Sequence, residues 1–121
     1  MDGDSGAGTR IDYVELPSLT AHELTRAFYA KAFGWNFTDY GPDYAATTNG
    51  VVDVGLNGTP EDSISAPLPV VRVADLEAAL AAVVEAGGIV ARPIYAFPGG
   101  RRFHFIDPSG SELAVWQPAE H

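Results

Sequence analysis

Glu15, Asp53 and His104 are the side chains of this sequence best placed for proton chemistry. Each stands in a strand-like run, in Tyr13-Val14-Glu15-Leu16, Val51-Val52-Asp53-Val54 and Arg102-Phe103-His104-Phe105. A carboxylate on an interior strand face is costly to bury unless it is paired or protonated. Glu15 therefore reads either as a site residue or as a partner of Arg72, Arg101 or Arg102. A carboxyl group in an apolar cleft keeps its proton to higher pH than one in water, which suits proton transfer near neutrality. Were Asp53 beside Glu15, repulsion between the two anions would separate them into an acid and a base; its other reading is a wet rim. His104 is either an exposed strand residue or a hydrogen-bonding group of a pocket. Tyr13, Tyr44, Arg102 and Trp116 are the candidate ligand contacts. Tyr44 and Trp116 can stack on a planar ligand, although strand aromatics also serve as core or dimer interface. Trp35 reads as structural, and His22 and His121 as solvated.

The elements that would position these groups occur twice, in steps of about 55 residues. The first copy has a strand at 11–16, a helix at 20–33 closed by Gly34, a strand at 35–38, and a hairpin over 44–56. The second has a strand at 68–73, a helix at 75–86 closed by Gly87-Gly88, a strand at 89–97, and a hairpin over 102–116. Thr20 and Glu23 have the spacing of a reciprocal capping box, and Leu24, Ala27 and Phe28 form the apolar stripe expected to meet the sheet. In the second helix Asp75 is the expected cap, and Leu76, Ala79, Leu80 and Val83 the stripe. Asn49-Gly50 predicts a tight hairpin turn, and Asp107-Pro108-Ser109-Gly110 a second turn. Pro98-Gly99-Gly100-Arg101-Arg102 reads as a solvated connection in preference to an anion-binding loop. The expected fold is α+β, two βαβββ modules at 11–57 and 68–118 joined by a linker at 58–67, after a disordered tail at 1–10.

Strand periodicity then assigns faces. Val14, Leu16, Val52, Val54 and Leu56 point to the first helix, which sends Tyr13, Glu15, Val51, Asp53 and Gly55 to the other face. Leu113 and Val115 point to the second helix, with Ala114 and Trp116 on the far side. Pairing across the last turn sets His104 opposite Ala114 and Arg102 opposite Trp116, a register that a one-residue slip would invert.

With 121 residues, 46% apolar and 19% charged, the chain has the size and composition of one soluble domain. Its 16 acidic and 7 basic residues give a formal charge of −9, which argues against nucleic acid and anionic membrane surfaces and favours a small neutral, cationic or amphipathic ligand. It has no cysteine, which removes disulfide and thiol chemistry and accords with a cytoplasmic location. The acidic, glycine-rich start does not resemble a signal peptide, and no apolar run approaches the roughly 20 residues needed to span a bilayer.

Three stretches carry a family likeness: Tyr13-Val14-Glu15-Leu16, the helix ending in Phe28-Tyr29-Ala30-Lys31-Ala32-Phe33-Gly34-Trp35, and Asp107-Pro108-Ser109-Gly110-Ser111-Glu112-Leu113-Ala114-Val115-Trp116. In order and spacing they resemble the vicinal oxygen chelate superfamily of glyoxalase I, bleomycin-resistance proteins, fosfomycin-resistance enzymes, extradiol dioxygenases and methylmalonyl-CoA epimerase. The resemblance implies two modules around a shared cleft, often in a homodimer. Its metal-dependent members take one ligand from the first and one from the fourth strand of each module. Glu15 and Asp53 match those positions in the first module. In the second, Leu68-Pro69-Val70 and Ala114 supply no donor, and two carboxylates without nitrogen or sulfur make a weak site for zinc, nickel or iron.

Three functions follow, in order of preference. The first is a metal-independent protein of the bleomycin-resistance type, without a cofactor, that holds a small organic ligand in the cleft between its curved sheets as a homodimer. The second is a metal-independent isomerase, lyase or cyclase in which Glu15 moves a proton with Asp53 or His104. The third is an atypical divalent-metal enzyme related to the glyoxalases and dioxygenases, using an improvised Glu15, Asp53 and His104 set.

Overall fold

The computed structural model describes residues 9–62 and 64–119. The expected tail lies outside the described residues except at its end, where Arg10 already opens the first strand. The described elements are mixed α and β: β1 (Arg10–Pro17), α1 (His22–Phe33), β2 (Phe37–Asp39), β3 (Tyr44–Thr47), β4 (Asp53–Asn57), a 3-10 turn (Pro60–Asp62), β5 (Leu68–Arg72), α2 (Leu76–Glu85), β6 (Ile89–Phe97), β7 (Gly100–Ile106) and β8 (Glu112–Pro118). They divide into two compact units, one of residues 13–68, the other of residues up to 12 together with those from 69 onward.

In the unit of residues 13–68 the strands run in the order β2, β3, β4, β1, with β1 and β4 parallel and the remaining pairs antiparallel. Tyr13 pairs with Asp53, Glu15 with Gly55, Ala46 with Gly55 and Tyr44 with Asn57, so these side chains share one face. The opposite face carries Val14, Leu16, Val54 and Leu56, the assignment that strand periodicity predicts. Leu56 and Ala45 are fully buried.

Three local expectations change in this unit. Ala21, not Thr20, occupies the N-cap of α1, with no side-chain bond to the free amides; instead Ser18 Oγ lies 2.8 Å from His22 Nδ1. The stripe expected to meet the sheet points outward, with Leu24 76% and Phe28 59% exposed. The half-buried face is made by His22, Thr25, Arg26 and Tyr29, at helical spacing. Arg26 can face inward because Asp39 accepts two hydrogen bonds from its guanidinium and the Phe37 carbonyl a third. Tyr29 does so by stacking on Trp35 at 5.1 Å. Gly34 ends the helix in the left-handed region, φ 72°, as its residue type implies. The third change is at Asn49-Gly50, where residues 48–52 form a wider loop in place of a two-residue turn, leaving Val51 and Val52 exposed.

The second unit has the order β5, β8, β7, β6, with β5 and β8 parallel and the other pairs antiparallel. His104 pairs with Ala114 and Arg102 with Trp116, as predicted. The other face meets α2 through Val73, Leu76, Phe103 and Val115, joined by Val71, Ala79, Leu80, Val83 and Phe105. Burying side chains such as Phe103 and Leu76 stabilises by roughly 1.5–3 kcal/mol each. Asp75 caps α2 by accepting from the Ala78 amide at 3.0 Å, and Gln117 Oε1 accepts from the Leu76 amide at 2.9 Å. Residues 98–99 form the short turn between β6 and β7, and Arg101 is engaged with Glu77.

Candidate functional site

Glu15 is only 2% exposed, on the face of its unit turned away from α1. Tyr44 Oη donates to Glu15 Oε2 at 3.0 Å and lies 2.5 Å from Tyr13 Oη. Because the hydrogen of Tyr44 goes to the carboxylate, Tyr13 must donate to Tyr44. The result is a directed chain, Tyr13 to Tyr44 to Glu15, with the anion at its accepting end.

Gly55, in mid-strand between them, makes the arrangement sterically possible. A methyl group there would collide with the hydroxyls of both Tyr13 and Tyr44. Burial, reinforced by the negative charge of Glu15, pushes Tyr44 well above its ordinary value of 10.0, so it is a neutral donor across the physiological range. Chemically, the set offers a buried carboxylate and two polarised phenols on one strand face.

Asp53 shares the face but not the network. Its Oδ1 accepts from Thr47 Oγ1 at 2.9 Å and from the Gly50 amide at 3.0 Å, while Thr47 Oγ1 accepts from the Val54 amide. The carboxylate thereby closes the loop at 48–52, and that local demand accounts for the wider turn.

His104, Arg102 and Trp116 lie together on the face of the second unit away from α2. His104 is 3% exposed. Its Nδ1 is 2.9 Å from Glu112 Oε2 and its Nε2 3.1 Å from Tyr95 Oη. Burial lowers the proton affinity of its ring below the ordinary 6.5, against the opposing pull of Glu112. Arg102 Nε donates to Tyr95 Oη. Trp116 Nε1 donates to Asp12 Oδ1 at 3.0 Å, beneath the guanidinium of Arg72 at 5.6 Å from the ring centroid. His22, read as solvated, is half-buried beside Ser18; His121 lies outside the described residues.

The structure adds three participants that the sequence reading did not single out: Tyr95, Glu112 and Gly55. A glycine inside a strand marks a close approach by another group, and that signal was available for Gly55. Glu112 sits two residues before Ala114 on the same face. Tyr95 could not be assigned a face by alternation, because β6 shifts register between Val90 and Arg92 and again between Arg92 and Tyr95.

Among the described residues no three histidine, aspartate or glutamate side chains are grouped to hold an ion; of the improvised set, Glu15 and Asp53 lie in one unit and His104 in the other. The Asp53 carboxylate is committed to its loop, and Val70 and Ala114, which share a face with His104, are apolar. No described helix is long and apolar enough to cross a membrane.

Residues 10–115 match the Glyoxalase/Bleomycin resistance protein/Dioxygenase superfamily. A protein named "Putative glyoxylase CFP32" from Mycobacterium bovis, with a counterpart from Mycobacterium tuberculosis, is 29% identical over 121 residues; the match takes in 91% of this chain and 46% of the relative. The chain thus spans about half the length of the curated relatives it matches. Methylmalonyl-CoA epimerase from Mycobacterium tuberculosis superposes with a TM-score of 0.73 at 14% identity, covering 92% of this chain and 89% of the other. The Mn(II)-bound glyoxalase from Novosphingobium aromaticivorans gives a TM-score of 0.67 at 24% identity, covering 89% and 38%. At these identities the structural likeness establishes the fold alone.

Proposed function

This chain belongs to the Glyoxalase/Bleomycin resistance protein/Dioxygenase superfamily, and from that premise we propose that it binds a small organic ligand without a metal, in the manner of a bleomycin-resistance protein. The observation that carries the reading is the Tyr13, Tyr44 and Glu15 chain over Gly55, which ties Glu15, the residue matching the first-strand ligand position of metal-dependent relatives, to a phenol. The formal charge of −9 favours a cationic or amphipathic guest. The reading includes self-association as a homodimer and a cytoplasmic location. Light scattering on the purified protein tests the first, with a dimer mass expected and a monomer mass removing it.

Two measurements test the binding. Elemental analysis of protein purified without chelator should find no stoichiometric manganese, nickel, zinc or iron in wild type or in Glu15→Ala. One ion per chain in wild type, lost in Glu15→Ala, would overturn metal independence. Calorimetric titration with metal-free bleomycin should give saturable binding that weakens at least tenfold in Glu15→Ala. No heat, or an unchanged constant in the variant, would remove the bleomycin-like reading.

The directed hydrogen-bond chain favours a second reading, a metal-independent isomerase, lyase or cyclase in which Glu15 is the base. A proton taken by Tyr13 can pass through Tyr44 to the carboxylate without either phenol leaving its place. In that case Glu15→Gln keeps ligand affinity and loses turnover, whereas simple binding has no turnover to lose.

A further inference from the structure

The two helices turn opposite sides to their sheets. In α2 the apolar stripe of Leu76, Ala79, Leu80 and Val83 packs inward. α1 has no fully buried residue; it faces its unit with Arg26 and Tyr29, while Leu24, Ala27, Phe28 and Lys31 are exposed. Those four positions recur at helical spacing and form one outward stripe, with Glu23 exposed on its flank. A helix of 12 residues is marginal in water without a packed apolar side. Large apolar side chains exposed together mark a surface that meets another molecule.

The charges on this side of α1 identify the partner. Glu23 stands in the first turn and Lys31 in the last, roughly two turns apart. Among the described residues neither side chain has a hydrogen-bond or ion-pair partner. When two copies of α1 pack antiparallel about a two-fold axis, Glu23 of each comes beside Lys31 of the other at both ends of the contact. Leu24 and Phe28 then meet in the middle, where Ala27 is small enough to let the two backbones approach. Parallel packing sets like charges together at each end instead. The formal charge of −9 makes two copies repel over most of their surface, so contact is favoured where acid and base balance, as they do here. A basic partner finds no net charge on this stripe to steer it.

We propose that the outer face of α1 is the surface by which two copies of this chain associate, the helices lying antiparallel and the contact closed twice by Glu23 of one copy against Lys31 of the other. The inference rests on the homodimer reading above and adds which surface makes the dimer. It also accounts for the inverted α1: the polar side meets partners within the unit, and the apolar side meets the same stripe on the second copy.

Sedimentation equilibrium at low ionic strength gives the association constant for wild type, Leu24→Ser, Glu23→Lys, Lys31→Glu and the double reversal. All three substituted side chains are exposed, so the fold is preserved. Leu24→Ser is expected to weaken the dimer about tenfold or more, and each single reversal about threefold or more. The double reversal should regain most of that loss, and an equimolar mixture of the two single-reversal variants should form a heterodimer. Helix stability alone predicts the opposite order, because a base in the first turn and an acid in the last both oppose the helix dipole and the double reversal would then be the weakest. A monomeric wild type overturns the homodimer reading and this surface together. A dimeric wild type whose constant is unchanged in Leu24→Ser and in the single reversals, or a double reversal no tighter than the singles, leaves the dimer standing and overturns this surface.

Discussion

Tyr44 faces a carboxylate, whereas Tyr95 has two guanidiniums near its ring, although both stand on the helix-free faces of units built to one plan. The difference teaches that the repeat specifies where a polar group projects and leaves its chemistry to the neighbours. In the unit of residues 13–68 the anion is the end of the chain, and Tyr13 and Tyr44 donate toward it. In the other, the phenol accepts from Arg102 and lies 3.1 Å from His104 Nε2. One environment, through burial and the charge of Glu15, raises the proton affinity of its tyrosine; the other sets two cations near the phenol ring.

The largest effect is expected at Gly55. Gly55→Ala forces a methyl group against both hydroxyls, and overpacking of this kind costs up to about 3 kcal/mol. Urea unfolding should show a lower midpoint; an unchanged one would mean that the missing side chain is not what lets the two phenols meet. Next is Tyr44→Phe, which takes one donor from a buried carboxylate at a cost of about 2 kcal/mol. Its alkaline limb carries more information. Tyr44 is raised in the folded protein, so the unfolded chain releases this proton first, from pH 10 upward, and stability contributed below that pH is lost as pH rises. The loss should be smaller in Tyr44→Phe, and equal slopes in the two proteins would remove the carboxylate-facing half of the contrast.

A smaller change, about 1 kcal/mol, is expected for Asp53→Ala, which gives up two half-exposed hydrogen bonds in the loop. Exchange of the Gly50 and Val54 amides should quicken while bleomycin affinity stays within twofold. A large loss of affinity would return Asp53 to the site. The smallest effect is at His104. Its proton affinity is lowered by burial, so the unfolded chain binds the proton more readily; stability is complete above 6.5 and falls as pH drops through the lower folded value. His104→Gln should flatten that acid limb in thermal melts, and an acid limb equally steep in the variant would mean that the ring is not held neutral.

Much of the scaffold was legible because it follows from short-range periodicity. Val14, Leu16, Val54 and Leu56 alternate with Tyr13, Glu15 and Asp53, and the structure keeps both sets on the faces so assigned. The α2 stripe packs as its spacing implies, since its apolar residues meet an apolar sheet. The α1 stripe was misread for the converse reason. Arg26 and Tyr29 face inward because Asp39 and Trp35 are there to receive them, and polarity counted along the helix does not report such partners.

By itself the sequence determined the repeat, the faces of most strand residues, the end of α1 at Gly34 and the capping of α2, all properties of residue type and local spacing. Only the tertiary structure decided that Glu15 receives Tyr44 and not Asp53, that Asp53 serves its own loop, and that Tyr95 meets Arg102 and His104. Hydrogen bonds join residues distant in sequence through register, and two shifts along β6 are enough to defeat a count by twos.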